Sequence, residues 1–206
     1  MKDLRVVAFD CDGVMFDTTA ANTTYYNEIL NHLDMPKMTP DQFAYVHMHT
    51  AAESLAYLIK DKEMLETALA YQKQMGYKKF IPYMKIEPYL KSLLKWLKPR
   101  YKTAIATNRT FTMPWVLDAF ELEEYFDLVV SAKDVDRPKP DPELLIKILS
   151  HFGIDSHQAL YVGDSVVDEM AATAAGIPLV AYNNATLTAA FHIKGLKELV
   201  DIINTI

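Results

Sequence analysis

The chain has 206 residues, a length that fits one domain or one domain with a sizeable insertion. Its 27 acidic residues against 21 lysines and arginines give a net charge of −6, which argues against a nucleic-acid backbone as partner. Half of the residues are hydrophobic and 23% are charged, so the composition favours a packed core over extended disorder.

The single cysteine, Cys11, cannot form an intramolecular disulfide and fits a reducing compartment. The sequence shows neither the apolar core of a signal peptide nor a run of about 20 apolar residues that could span a membrane. We therefore expect a cytoplasmic protein without a membrane partner. A monomer and a homodimer both remain open.

Five apolar runs have the length of β-strands, and three of them close on the polar residues Asp10, Thr107 and Asp164. Their hydrophobicity is nearly continuous, which is typical of strands buried on both faces, as in a parallel sheet. In chain order, the runs are residues 4–10, 102–107, 126–131, 159–164 and 177–182.

Helical patterns separate these runs. The first spans Glu87 to Leu97, and another is predicted to begin with Asp141 as N-cap and to end at Gly153. A further helix is predicted from about Ser165 to Ala175. Alternating strands and helices predict an α/β fold with a doubly wound, mostly parallel, Rossmann-like sheet.

Residues 16–85 interrupt this alternation, because their patterns are helical throughout. Helices are predicted for residues 22–33, from a start at 39–41, for 51–59 and for 62–75, and the segment contains no arginine. We interpret it as a small all-α domain inserted after the first strand. Residues 1–15 and 86–206 would then form the α/β core domain.

Polar residues follow the predicted strands at the edge where open parallel sheets bind ligands. Asp10, Thr107 and Asp164 each stand at a strand end, Asp12 follows Asp10 by two residues, and Asp168 follows Asp164 by about one helical turn. A single loop aspartate is most often only a turn or helix cap. Several of them at adjoining strand ends favour a functional site.

Clustered carboxylates require a counter-charge. Two unit charges about 4 Å apart repel by roughly 4 kcal/mol at an effective dielectric near 20, so three pairs would cost on the order of 12 kcal/mol. Protonation or a hard divalent cation would relieve this repulsion, and oxygen ligands alone favour Mg²⁺ over zinc. All six histidines lie away from these strand ends: His32, His47, His49, His151, His157 and His192.

Lys139 lies in a proline-rich segment, residues 137–142, in which three alternating prolines favour an extended backbone. A lysine held in this way between a strand and a helix is expected to point into the crevice at the strand ends. There it could bind a phosphate oxygen and neutralise the acidic cluster. Thr107 and Asn108 would add a hydroxyl and an amide at the neighbouring strand end.

These segments resemble the four motifs of the haloacid dehalogenase superfamily. Residues 10–17 (Asp-Cys-Asp-Gly-Val-Met-Phe-Asp) resemble the first motif, Thr107-Asn108 the second, Lys139 the third and residues 163–168 (Gly-Asp-Ser-Val-Val-Asp) the fourth. The motifs occur in family order and spacing, and the resemblance covers essentially the whole chain. The inserted helices resemble the family's first type of cap, and the likeness is greatest to the phosphoglycolate-phosphatase-like subgroup.

The resemblance implies a hydrolase that works through an aspartyl-phosphate. Asp10 would be the nucleophile, and Asp12 would protonate the leaving oxygen and then act as base for the hydrolytic water. The dehalogenases lack an acid–base aspartate at this second place, because a halide leaves without a proton. Asp12 therefore favours phosphoryl chemistry.

The resemblance also assigns the binding groups. Thr107 and Lys139 would hold the phosphoryl oxygens, with Asn108 as a further phosphate or substrate contact. Mg²⁺ would be bound by the Asp10 side chain, the Asp12 backbone carbonyl and Asp164. Asp168 would either bind the ion directly or hold the ligands by hydrogen bonds. The implied metal-binding residues are thus Asp10, Asp12, Asp164 and Asp168.

Three functions remain open at this stage. The first is a phosphatase acting on a small phosphorylated metabolite, and the second is a sugar-phosphate mutase of the β-phosphoglucomutase type. The third is a non-catalytic domain that only accepts phosphate, which would need neither the inserted helices nor Asp12. Without arginine in residues 16–85, a monophosphate is favoured over a bisphosphate. The roles of His47 and His49 stay open.

Overall fold

A computed structural model describes residues 3–206, and Met1 and Lys2 lie outside the described residues. The chain divides into two compact units. The larger unit runs up to Phe16 and resumes at Ile86–Ile206, and the smaller one is Asp17–Lys85.

The β-strands, numbered β1 to β8 in chain order, are Val6–Phe9, Phe16–Asp17, Lys85–Ile86, Lys102–Thr107, Leu128–Ser131, Ala159–Gly163, Leu179–Tyr182 and Phe191–Ile193. The α-helices, numbered α1 to α9, are Thr19–His32, Pro40–Met48, Ala51–Leu58, Lys62–Met75, Leu90–Leu97, Met113–Ala119, Glu143–Phe152, Val166–Ala175 and Glu198–Thr205. Short 3₁₀ turns cover Lys78–Tyr83, Glu123–Tyr125, Ala132–Asp134 and Ser156–Gln158.

The larger unit is built on a six-stranded sheet with the order β5-β4-β1-β6-β7-β8. Every neighbouring pair is parallel. The chain builds the sheet outward from β1, first through β4 and β5 and then through β6, β7 and β8. This reversal opens a crevice beside the carboxyl end of β1. The predicted α/β fold with a mostly parallel sheet is confirmed.

The apolar runs form strands because both of their faces are covered. All four residues of β1 and all five of β6 are buried, and five of the six residues of β4 are buried. Helices α7 and α8 pack against each other over one face of the sheet, α7 on β4 and β5 and α8 on β6 and β7. Helix α5 contacts β4, and its buried leucines lie outside the hydrophobic core beneath α7 and α8. A central strand can be apolar throughout only when helices lie over both faces of the sheet.

Three elements of this unit were not predicted. Strand β8 is short and half-exposed, and the seven-residue α6 has no clear apolar period. Helix α9 is amphipathic, with Leu199 and Ile203 buried, and was missed. The predicted N-cap of α7 was wrong by one residue. Pro142 occupies the cap position, and Asp141 contributes instead by accepting a hydrogen bond of 3.1 Å from the Glu143 backbone N–H.

The smaller unit contains α1 to α4. Helices α2 and α3 each begin with a capping box, formed by Thr39 with Gln42 and by Thr50 with Glu53, which satisfies backbone N–H groups that the first turn leaves unpaired. The aromatic side chains in its interior meet edge to face. They are Tyr25, Tyr26, Tyr77 and Phe80.

The two histidines of this unit make local contacts. His47 stacks on the Phe43 ring, and His49 stacks on Tyr45 while its Nδ1 lies 2.8 Å from the Tyr45 backbone oxygen. Across the described residues, 3–206, no helix combines the length and apolar character that crossing a membrane requires.

Candidate active site

Three aspartates meet at the carboxyl ends of the two central strands. Asp10 directly follows β1, Asp164 directly follows β6, and Asp168 lies in the first turn of α8. One carboxylate oxygen from each lies within 4.8 Å of the others. The pairing of β1 with β6 explains this, because parallel neighbours end at the same edge of the sheet.

Lys139 supplies the positive charge of this cluster. Its Nζ lies 2.7 Å from Oδ1 of Asp10 and 2.7 Å from Oδ1 of Asp168. It also donates to the Ala106 carbonyl at 3.2 Å and to the Tyr161 hydroxyl at 3.0 Å. The side chain is only 2% exposed, so the proline-rich segment delivers the ammonium group into the crevice rather than to solvent.

Asp168 is the most enclosed member, with no exposed side-chain surface. Its Oδ1 accepts hydrogen bonds from Lys139 and from the Tyr161 hydroxyl at 2.6 Å. Its Oδ2 accepts from the backbone N–H groups of Asp164 and Ser165 and from the Ser165 hydroxyl. With both oxygens engaged by donors, Asp168 positions Lys139 and the Asp164 loop, and its direct contact with a metal stays a prediction.

Asn108 and Lys139 are joined by a reciprocal pair of hydrogen bonds. The Asn108 amide donates to the Lys139 carbonyl at 2.9 Å, and its Oδ1 accepts from the Lys139 backbone N–H at 2.9 Å. Asn108 therefore holds the lysine segment against the end of β4, and direct contact with a substrate stays a prediction. Thr107, the buried last residue of β4, accepts the Arg109 backbone N–H at 3.1 Å.

Asp12 forms an ion pair that the sequence did not predict. Nε of Arg109 donates to Oδ2 of Asp12 at 2.6 Å, and Nη2 donates to Oδ1 at 2.7 Å. The Asp12 side chain is 11% exposed and the Arg109 side chain is 8% exposed, so the pair is largely shielded from water. Arg109 directly follows Thr107 and Asn108, and that adjacency was the available signal.

Two glycines allow the aspartates to approach the backbone. Gly13 has φ = +82°, and a Cβ built there would lie 2.1 Å from Oδ2 of Asp164. A Cβ on Gly163 would lie 2.5 Å from Cβ of Asp168. Side chains at these positions would displace members of the carboxylate cluster, so both positions require glycine.

The environment separates the acidities of the three carboxyl groups. Burial raises the pKa of Asp10 to about 7, with attraction to Lys139 working against this rise and repulsion from Asp168 adding to it. Burial, together with the charges of Asp168 and Asp10, raises the pKa of Asp164 to about 9. Burial would also raise that of Asp168, but Lys139 and hydrogen bonds from Ser165 and Tyr161 hold its pKa below the usual value.

Replacing Asp164 with asparagine should therefore stabilise the metal-free protein. A raised carboxyl pKa means that the native state holds a proton that the unfolded chain releases, so this group's contribution to stability falls as pH rises from about 4 to 9. We expect a gain in unfolding free energy of a few kcal/mol at pH 8 that shrinks towards pH 4. Urea unfolding in EDTA measures it. An equal gain at pH 8 and pH 4 would contradict the raised pKa of Asp164.

The fold and the site define an α/β enzyme in which a lysine and a set of strand-end aspartates surround one crevice. The family model of haloacid dehalogenase-like hydrolases matches residues 7–182. The chain therefore belongs to the haloacid dehalogenase-like hydrolases.

Individual relatives agree with this assignment. A phosphoglycolate phosphatase of Nitrosospira multiformis is 29% identical, over 84% of this chain and 80% of its own. One from Shigella boydii is 27% identical, over 87% and 81%. The crystal structure of a hydrolase of the same superfamily, subfamily IA, from Geobacter sulfurreducens is 37% identical, with a TM-score of 0.81 over 98% of this chain and 97% of its own.

Two further side chains contact the aspartate and lysine cluster and were not predicted from the sequence. Tyr161 lies within β6 and bridges Lys139 and Asp168, and Asn184 donates to the Asp164 backbone carbonyl at 2.8 Å. In the sequence, Tyr161 stands inside an apolar run. A hydroxyl on an otherwise apolar central strand was the signal, because a buried phenol needs a hydrogen-bond partner.

Proposed function

We propose that the protein is a phosphatase that hydrolyses a small phosphate monoester through an aspartyl-phosphate on Asp10. The observation that carries this proposal is the contact of 2.7 Å between Lys139 and Asp10, beside Asp164, at the switch point of the sheet. A carboxylate next to a fixed cation is suited to attack a phosphorus atom whose oxygens that cation holds.

Mg²⁺ is the metal that these ligands fit best. The cluster offers carboxylate oxygens, which hard divalent cations prefer, and no histidine or cysteine joins it among residues 3–206. Asp10 and Asp164 would hold the ion through their side chains and Asp12 through its backbone carbonyl. Once bound, the ion would neutralise the phosphoryl oxygens and lower the raised pKa values of Asp10 and Asp164.

The reaction would proceed in two displacements. A carboxylate oxygen of Asp10 attacks phosphorus, the bond from phosphorus to the ester oxygen breaks, and Asp12 gives that oxygen its proton. Asp12 then takes a proton from water, whose oxygen attacks phosphorus and releases Asp10 and inorganic phosphate. Lys139 and the Thr107 hydroxyl would hold the phosphoryl oxygens in both steps.

The first candidate substrate is 2-phosphoglycolate, because the relatives from Nitrosospira multiformis and Shigella boydii are named phosphoglycolate phosphatases. The relatives favour this over a mutase. The single, buried Cys11 fits a reducing compartment, and we propose that the substrate is a small phosphorylated metabolite of the cytoplasm.

Phosphate release tests the proposal. With Mg²⁺ present, we expect stoichiometric inorganic phosphate from 2-phosphoglycolate, and EDTA should lower the rate by at least about 10²-fold because the acidic cluster then lacks its cation. β-Glucose 1-phosphate serves as the comparison. Its conversion to glucose 6-phosphate without phosphate release would identify a mutase, and a phosphorylated Asp10 that never turns over would identify a signalling domain.

A further inference from the structure

Arg109 is a buried arginine in the crevice with no part in the reaction described so far. Its guanidinium uses Nε and Nη2 to hold both oxygens of Asp12, and its Nη1 donates to the Thr112 hydroxyl at 3.2 Å. A two-point fork of this kind is the arrangement in which arginine binds a carboxylate.

The ion pair with Arg109 conflicts with the acid–base role proposed for Asp12. A carboxyl group that gives a proton to the leaving oxygen must direct an oxygen to that atom, whereas in this structure each oxygen of Asp12 lies within 2.7 Å of an Arg109 nitrogen. The pair therefore has to loosen during turnover. A guanidinium that is only 8% exposed cannot lose its anion without a replacement, because burying an uncompensated charge is costly.

The substrate can supply that replacement. A leaving oxygen that is hydrogen-bonded to Asp12 would lie about 5 Å from a guanidinium nitrogen bound to the same carboxylate, given two hydrogen bonds of ordinary length. A carboxylate attached to the carbon next to that oxygen would reach across this gap. The smaller unit, residues 17–85, contains no arginine that could offer such a fork.

We propose that Arg109 determines specificity by exchanging Asp12 for a carboxylate on the leaving group. The substrate class is then the small 2-phosphoryloxy carboxylates. Binding of the correct substrate frees both oxygens of Asp12 to face the leaving oxygen, so that the same guanidinium selects the leaving group and releases the acid–base residue. This inference rests on the proposed phosphatase activity.

A pair of matched esters tests it: 2-phosphoglycolate and 2-hydroxyethyl phosphate, which replaces the carboxylate with a neutral CH₂OH group. In Arg109→Gln, we expect kcat/KM to fall by about 10²-fold for 2-phosphoglycolate and by less than about tenfold for 2-hydroxyethyl phosphate, since a charged hydrogen bond is lost only with the former. Arg109→Lys should lose about tenfold with 2-phosphoglycolate, because the charge remains and the fork is gone. KM should carry much of the change.

Arg100→Gln is the matched control, because Arg100 is exposed and precedes the opposite end of β4. It should leave the ratio of the two kcat/KM values unchanged. An equal fall for both esters in the Arg109 variants would overturn the inference, since Arg109 would then only position Asp12 or hold the phosphoryl group. If the unmodified protein releases phosphate from neither ester, the proposed function fails instead, so the two failures are distinct.

Discussion

Replacing Asp10 with asparagine is expected to lower phosphate release by at least about 10⁴-fold, the scale on which loss of a covalent nucleophile acts. The amide cannot form an acyl phosphate, whereas its shape fits the same space beside Lys139. The unmodified protein, quenched during turnover, should carry phosphate on residue 10 that hydroxylamine releases. A phosphate-release assay measures the fall in rate, and rapid-quench labelling with mapping of the labelled peptide locates the phosphate on residue 10.

Asp201→Asn is the control, because Asp201 is exposed on α9 in the same unit. It should retain full activity. The Asp10 variant should also be at least as stable as the unmodified protein without metal, since it removes a buried carboxyl whose pKa burial raises to about 7. Turnover within about tenfold of normal in a folded Asp10→Asn protein would show that phosphate is transferred directly to water.

Sequence patterns predicted the framework well where a strand is buried or a helix has clear end signals. The run at residues 102–107 became β4 with the predicted bounds, and residues 62–75 became α4 with the predicted bounds. In these segments the local pattern and the tertiary environment agree, because a fully apolar strand needs cover on both faces and a capped helix has defined ends. The short α6 carried no such pattern, and α9 was missed although its sequence is amphipathic.

The sequence could predict which residues lie in the site, but not which hydrogen bonds and ion pairs they form. Parallel strands end at one edge, so the sequence alone placed Asp10, Thr107 and Asp164 together. It could not show that Asn108 turns to the Lys139 backbone or that Arg109 holds Asp12, because these contacts depend on side-chain directions in loops. Loop sequences have no periodic pattern from which such contacts could be predicted.

The hydrogen bonds and pKa values also indicate different roles for Asp164 and Asp168, the two acidic residues of the fourth motif. Asp168 accepts donors on both oxygens and keeps a lowered pKa, whereas Asp164 has a raised pKa beside the same cluster. A carboxylate that is fully engaged by donors holds other groups in place, and a buried one with a raised pKa gains most from a cation. Lys139 connects the two roles, because it touches both Asp10 and Asp168.

Replacing Lys139 with methionine should therefore damage both stability and catalysis. Removing one partner of a buried ion pair costs about 3–5 kcal/mol, because the remaining charges lose their compensation. We expect that loss at pH 8 in EDTA, and a fall of about 10³-fold in phosphate release with Mg²⁺, since the phosphoryl oxygens lose a fixed cation. Urea unfolding and phosphate assays measure the two effects, with Lys95→Met on the exposed face of α5 as control.

The pH dependence and a double variant separate these effects. Asp168 has a lowered pKa in the folded protein, so its contribution to stability is present above about pH 4 and is lost as pH falls through its folded pKa. In Lys139→Met the buried Asp168 carboxyl loses its cation, so its pKa should rise above the unfolded value. The stability loss should then shrink as pH falls towards 4, because Asp168 becomes protonated in the folded variant. Adding Asp168→Asn should restore part of the stability at pH 8, because one uncompensated carboxylate is gone, but it should not restore turnover. Recovery of turnover together with stability would mean that Lys139 only balances the charge of Asp168, and the assignment of a phosphoryl contact to Lys139 would be wrong.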